Sequence, residues 1–223
     1  MSTDRLEPAR LHVFSDFDGT ISERDTLVFL TERLGGGARM RQVNDRLAAE
    51  GKISLRQCIA GNMRSIRAPF TEAVRLLREN IGIDPSFAGF ARWCAARGIP
   101  LTVLSAGFKE IVDLYLSPAD FPGLELRANQ LVPDERKGWQ CVFRDRTAFG
   151  HDKAEPLREA HRGGSYTVFI GDGISDRAPA AVADEVFAKP DLARYCRDRG
   201  IRCHEFGTFD EVTRKLAERL STA

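Results

Sequence analysis

The chain carries almost no excess charge of either sign: 33 Lys and Arg face 32 Asp and Glu, for a formal net charge of +1. A near-neutral protein has no general field drawing it onto nucleic acid or an anionic membrane. An interleaved basic–aromatic array that could read bases is also missing. Long apolar runs are absent. None approaches the ~20 residues that span a bilayer, and the opening MSTDRLEPARLHVF mixes charges where a signal peptide is apolar. Cysteine is sparse and scattered. The five, at 58, 94, 141, 196 and 203, form no C-x-x-C pair, so neither a zinc site nor a disulfide framework is indicated. Reduced, mostly buried thiols in a cytoplasmic protein are the expectation. The nucleotide-binding strings G-x-G-x-x-G and G-x-x-x-x-G-K-[ST] are missing too.

What is present suits a globular α/β protein. Of 223 residues, 43% are hydrophobic and 29% charged, enough for one domain with a sizeable core or a core with an appendage. Three short apolar runs end in small or acidic residues: Leu11 to Ser15 before DFDGT, Leu101 to Leu104 before SAGF, and Tyr166 to Ile170 before GDG. Such runs read as buried strands of a mostly parallel, doubly wound (Rossmann-like) sheet. Asp84-Pro85, followed by Phe87, Ala91, Cys94 and Gly98, predicts a helix with Asp84 as N-cap and Pro85 at its first position. Thr208-x-x-Glu211 predicts a capping box opening a C-terminal helix. The first two strands lie much further apart than the ~30 residues of a βαβ unit, so an insertion follows the first. Within it, Leu27/Leu30/Leu34, Met40/Val43/Leu47, Ile59/Met63/Ile66 and Val74/Leu77/Ile81 each share a helical face. The division expected is an α/β core of 1–22 and 84–223, with a helical cap of 23–83 over the sheet's carboxyl edge. Leu131-Val132 and Trp139 to Phe143, around PDERKG, resemble a β-hairpin. Trp93 and Trp139 are expected to pack, and Gly35 to Gly37 to break the cap helices. His151 is expected on the surface, with a supporting place beside Lys153 as the alternative, and His204 in a strand or turn.

Open parallel sheets bind ligands beyond the carboxyl ends of their strands, where Asp16, Ser105 and Asp172 are placed. In DFDGT an extended tip turns Asp16 and Asp18 to one side while Phe17 anchors in the core. Mutual repulsion raises one pKa, which divides the pair into a nucleophile and a general acid/base. In GDGISD, Asp172 and Asp176 offer hard oxygen ligands suited to Mg²⁺. Ser105-Ala106-Gly107 offers a hydroxyl and backbone N–H groups to a phosphate oxygen at a helix start. Lys153, in GHDKA, supplies a cation. Each piece alone has a plain structural explanation: an Asp-Gly turn, a capping serine, a solvated lysine. As a unit the charges cancel. Ionised Asp16, Asp172 and Asp176 carry about −3, and a divalent cation with Lys153 about +3.

The set, in this order and spacing, resembles the haloacid dehalogenase-like phosphatase superfamily. DFDGT is similar to its first motif, LSAGF to its second, Lys153 to its third and GDGISD to its fourth. The insertion resembles the helical-cap branch that includes phosphoserine phosphatases. The resemblance implies an aspartyl-phosphate on Asp16, with Asp18 as acid and then base, and Ser105 and Lys153 holding the phosphoryl group. It implies Mg²⁺ at Asp16, the Asp18 backbone carbonyl and Asp172, supported by Asp176, and substrate contacts at Thr20, Asp25, Ala106 and Gly107. Phosphoserine phosphatases have a glutamate where Asp25 stands here and a cap arginine that aligns with Ile59 to Asn62. Losing that arginine disfavours a substrate carboxylate, unless Arg56 or Arg64 replaces it. The stretch from Ile170 to Ile201 is instead similar to methionine-salvage phosphatases acting on 2-hydroxy-3-keto-5-methylthiopentenyl-1-phosphate. The expected partner is a small phosphorylated metabolite. The alternatives are another small substrate (phosphoserine, phosphoethanolamine or phosphocholine), phosphotransfer to another hydroxyl, or metal-dependent binding without turnover.

Overall fold

The computed structural model describes residues 7–221. Its centre is a seven-stranded sheet ordered β4-β3-β2-β1-β5-β6-β7, parallel except for β4. The strands are β1 (Leu11–Ser15), β2 (Leu101–Phe108), β3 (Glu125–Val132), β4 (Gln140–Val142), β5 (Tyr166–Gly171), β6 (Glu185–Ala188) and β7 (His204–Glu205). The helices are α1 (Thr26–Leu34), α2 (Gly37–Ala49), α3 (Leu55–Arg64), α4 (Phe70–Asn80), α5 (Phe87–Ala95), α6 (Lys109–Val112), α7 (Ala154–Arg162), α8 (Arg177–Ala180), α9 (Pro190–Asp198) and α10 (Phe209–Ser221). The α/β doubly wound class predicted from the sequence is observed. Among the described residues no helix is long and apolar enough to cross a membrane.

Period-two alternation explains why both sheet faces are covered. Val13, Val103, Val168 and Ile170 face a layer that contains α5 and α10, whereas Phe14, Leu104, Phe169 and Val186 face α7 and α9. β6 and β7 escape the sequence reading because four and two residues are too few to show a period.

A third apolar cluster joins α1, α3 and α4 to the hairpin and includes Leu30, Met63, Leu77, Leu131 and Trp139. The chain leaves and re-enters the sheet layer through an antiparallel bridge between Ser22 and Ile83. A second set of bonds ties the helices to the hairpin: Ile66 O accepts from Trp139 N–H, and Ala68 O from Trp139 Nε1–H at 2.9 Å. The α2 face of Met40, Val43 and Leu47 is only partly covered, since α2 packs on α1 and α3 and leaves Val43 exposed.

Three local expectations need correction. Ser105, Ala106 and Gly107 lie inside β2 rather than at a helix start; the helix that follows begins at Lys109 and is four residues long. Helix α5 begins at Phe87, two residues later than predicted, yet Asp84 still caps, accepting from Ser86 N–H on Oδ1 and from Phe87 N–H on its carbonyl. Its Oδ2 accepts from Phe209 N–H, and Ser86 Oγ from Asp210 N–H, so the start of α5 caps α10. This is close packing at work: the Phe87 and Phe209 rings meet edge-on at 5.0 Å. Glu211 accordingly accepts from Gly207 N–H instead of closing a box on Thr208.

Candidate active site

The strand order reverses at β1, which lies between β2 and β5, and a crevice forms beyond the carboxyl ends there. Asp16 N–H still pairs with Ile170 O at 2.8 Å, so the strand carries the first aspartate to the crevice before the chain turns. Phe17, fully buried against Tyr115, accepts the N–H groups of Thr20, Ile21 and Ser22 on its carbonyl and folds the turn. Gly19 completes it with φ +77°, and a Cβ there would stand 2.4 Å from Asp172 Oδ2. Only glycine meets both demands.

Beneath the crevice Lys153 Nζ donates to Asp16 Oδ1 at 2.6 Å, Asp176 Oδ1 at 2.8 Å and Ser175 Oγ at 3.0 Å, which uses all three ammonium protons. The lysine is 2% exposed, and although burial opposes its charge, Asp16 and Asp176 hold its pKa above the ordinary value. Asp176 Oδ2 accepts from the Asp172 and Gly173 N–H groups and so shapes the loop after β5. Asp16 is pushed well above the usual carboxylate range by burial and then by Asp176 and Asp172, against the pull of Lys153. Asp172 is pushed up to about 8 by burial and by Asp176. The repulsion expected between Asp16 and Asp18 is thus supplied to Asp16 by the fourth motif.

Asp18 lines the same cavity as Asp16 but is held by different partners. Its Oδ1 accepts from Thr26 N–H at 2.9 Å and Thr26 Oγ1–H at 2.5 Å, while Oδ2 lies 3.5 Å from Ser105 Oγ. Burial raises its pKa, and the two Thr26 bonds pull it down. One oxygen is therefore occupied at the first turn of α1, and the other is left for a proton. Above the two aspartates is a cavity of about 270 Å³, with Leu27, Leu55, Ile59 and Met63 as its apolar wall. Asp25, Asp45 and Asn62 form the polar part, and among the described residues no Lys, Arg or His lines it. A larger apolar cavity of about 510 Å³ lies at the opposite, amino end of β2, around Cys94 and Pro100, and holds no acidic cluster.

The structure therefore brings Asp16, Asp18, Asp25, Ala106, Gly107 and Asp172 to one cavity wall, with Ser105, Lys153 and Asp176 buried behind it. Thr20 stands apart: it is 2% exposed, its hydroxyl has no partner, and it is not among the lining residues. Asp25 caps α1, accepting from Val28 N–H at 2.8 Å. Arg56 and Arg64 flank a separate groove between α3 and β4, where Arg56 covers the Phe143 ring and donates to Asp145 O. Neither lines the cavity. Sequence reasoning assigned no role to Thr26, Asp45 and Asn62, because polar residues in helices are ordinarily solvated and nothing local marks Thr26 and Asn62 as buried. It also placed His151 on the surface, whereas the structure buries it at 4% exposure against Ser105 O. The signal available was its place two residues before Lys153 in GHDK.

The residues fit a magnesium ion. Asp16, Asp172 and Asp176 present carboxylate oxygens within 4.8 Å of one another. Two of these acids are held above their normal pKa because Lys153 does not offset the buried charge, and a hard divalent cation with oxygen ligands removes that deficit.

A family model described as haloacid dehalogenase-like hydrolase matches residues 13–181. The chain is 33% identical over 219 residues to Pdp3-interacting factor 1 of Schizosaccharomyces pombe, covering 93% of this chain and 95% of that protein. It is 28% identical to Polyol phosphate phosphatase PYP1 of Saccharomyces cerevisiae, covering 94% and 93%. It is also 28% identical to the 2-hydroxy-3-keto-5-methylthiopentenyl-1-phosphate phosphatase of Geobacillus kaustophilus, covering 91% and 94%. Among solved structures, a substrate-bound phosphoserine phosphatase superposes with TM-score 0.69 at 19% identity, covering 95% of this chain and 99% of that one. At that identity the likeness concerns the fold.

Proposed function

The chain belongs to the haloacid dehalogenase-like hydrolase family, and from that premise we propose a Mg²⁺-dependent phosphomonoesterase acting through an aspartyl-phosphate on Asp16. The observation that carries this reading is the buried lysine joining Asp16 to Asp176 under a cavity that Asp16, Asp18 and Asp172 line. Asp16 attacks phosphorus in line with the leaving oxygen, and Asp18 delivers a proton from Oδ2 to that oxygen. Asp18, now ionised, takes a proton from the water that hydrolyses the acyl phosphate. Ser105 and the Ala106 and Gly107 amides orient the phosphoryl oxygens, and Lys153 offsets charge at Asp16. Bound Mg²⁺, held by Asp16 and Asp172 with Asp176 behind them, supplies neutralisation of the incoming phosphate charge. The helical segment 23–83 serves as the cap.

The cavity wall supports a substrate class. Asp25 stands in the wall, Asp45 there is already paired with Arg41, and among the described residues no basic side chain lines the cavity, so a substrate carboxylate would be left unpaired, a cost on the order of a few kcal/mol. We therefore assign a small phosphate monoester whose organic part is hydroxylated and carries no acid. Polyol phosphates and the methylthiopentenyl phosphate named for the relatives above are the first to try. The test is a panel of polyol phosphates, the enol phosphate, phosphoethanolamine, phosphocholine and phosphoserine, assayed for kcat/KM with Mg²⁺ and with chelator. Turnover only with metal, with an acid-free hydroxylated ester preferred, is the expected result. Metal-dependent binding without turnover across the panel, or phosphoserine as the best substrate, would refute it.

A further inference from the structure

Strand β2 departs from its partner β3 at the point where the cavity begins. Leu104 is opposite Arg127 and Phe108 opposite Asn129, so Ser105, Ala106 and Gly107 face the one residue Ala128. The excess takes carbonyls off the ladder, and buried carbonyls need donors. Two buried side chains provide them. His151, 4% exposed, meets Ser105 O through Nδ1 at 2.9 Å. Asn129, fully buried, donates Nδ2–H to Ala106 O at 2.8 Å, and its Oδ1 accepts from Arg144 N–H at 3.0 Å.

A trans peptide points its C=O and N–H in opposite directions. Fixing the Ser105 and Ala106 carbonyls therefore fixes the Ala106 and Gly107 N–H groups, at the two residues of this segment that line the cavity. Gly107 N–H meets Ser105 Oγ at 2.9 Å, and a Cβ on Gly107 would come within 2.8 Å of Asp18 Oδ2. The segment is thus held from behind by side chains and fitted closely against Asp18 in front.

We propose that His151 and Asn129 are positioning residues that aim the Ser105–Gly107 peptides at the phosphoryl oxygens without touching substrate. The inference rests on the phosphomonoesterase reading. Because a carbonyl accepts, the His151 ring is the Nδ1–H tautomer. Burial keeps it neutral, its pKa lowered to about 4, with Lys153 and Arg144 opposing a positive ring and Asp145 favouring one.

The test uses the Mg²⁺-loaded protein with p-nitrophenyl phosphate as substrate and inorganic phosphate as inhibitor. His151→Phe keeps a ring and removes the donor; His151→Gln restores a donor; Asn129→Leu removes the second. His151→Phe and Asn129→Leu are expected to lower kcat/KM roughly 10²-fold and to raise the phosphate inhibition constant. The Mg²⁺ concentration at half-activation should stay unchanged, and His151→Gln should recover most of the loss. Folded variants that keep kcat/KM and phosphate inhibition within about threefold of wild type overturn the inference. A His151→Gln no better than His151→Phe overturns it as well. If His151→Phe does not fold, His151→Gln and Asn129→Leu decide: a raised inhibition constant in Asn129→Leu with near-normal His151→Gln supports it, and wild-type values in both refute it. A wild type that neither turns over ester nor binds phosphate refutes the phosphatase reading itself.

Discussion

Replacing Asp16 by Asn should abolish turnover and at the same time stabilise the metal-free protein. Asn keeps the shape, and its amide oxygen can still accept from Lys153, which retains Asp176 at 2.8 Å and Ser175 at 3.0 Å. What disappears is a buried negative charge crowded by Asp176 and Asp172. The folded pKa of Asp16 lies above its unfolded value of 3.8, so its stabilising contribution is complete below about pH 4 and is lost as pH rises toward the folded pKa. Each proton held in this way adds a slope of about 1.4 kcal/mol per pH unit, and the variant lacks one such proton. Near pH 8 the gain is expected at about 1–4 kcal/mol, the range found when buried ions give way to neutral groups of like volume. For a chain of this size, each kcal/mol corresponds to about 2–4 °C in Tm. Thermal unfolding in chelator from pH 5 to 8.5, beside p-nitrophenyl phosphate assays, reads both effects. A variant that melts below wild type at pH 8 would show that the Lys153 ion pair outweighs crowding and burial, and the electrostatic argument would be wrong. Turnover within about tenfold of wild type would remove the nucleophile assignment.

Lys153→Met leaves Asp16 and Asp176 buried without their cation. It is expected to destabilise by about 3–5 kcal/mol in denaturant titrations and to remove activity. Mg²⁺ affinity, measured by calorimetry, should rise with pH through about 8, because Asp172 must release a proton to bind metal; a flat profile contradicts the assignment. Thr26→Val removes one donor to Asp18 Oδ1, raises the Asp18 pKa further, and is expected to move the kcat/KM profile toward higher pH. Trp139→Ala empties a fully buried site and breaks the bond to Ala68 O, at about 3–5 kcal/mol in equilibrium unfolding.

The parts of the fold and site legible in the sequence were those where local pattern and tertiary need coincide. An apolar run broken by an acid marks a strand end, and Asp16 and Asp172 directly follow β1 and β5. Lys153 was legible only as a member of the set, since nothing local separates a buried lysine from a solvated one. The residues missed depend on contacts between distant segments. His151 is buried because β2 bulges 46 positions earlier in the chain, and Asp84 caps α10 because two helices pack side by side. Thr20 sits in the DFDGT string yet faces away from the cavity, because the turn that brings Gly19 against Asp172 folds Thr20 inward.

The helices between Ser22 and Ile83 are moored to the rest of the chain at that bridge, where Thr26 holds Asp18, where Arg56 donates to Ala148 O and Asp145 O, and where Ile66 and Ala68 grip Trp139. Helix α2 carries none of these bonds and packs on α1 and α3 instead. The rim freest to travel is then that of α2, which brings Asp45 to a cavity that the exposed Ile174 also lines. Traffic into and out of the chamber should pass there, so a tether between those two lips would slow exchange while leaving the chemistry behind them intact.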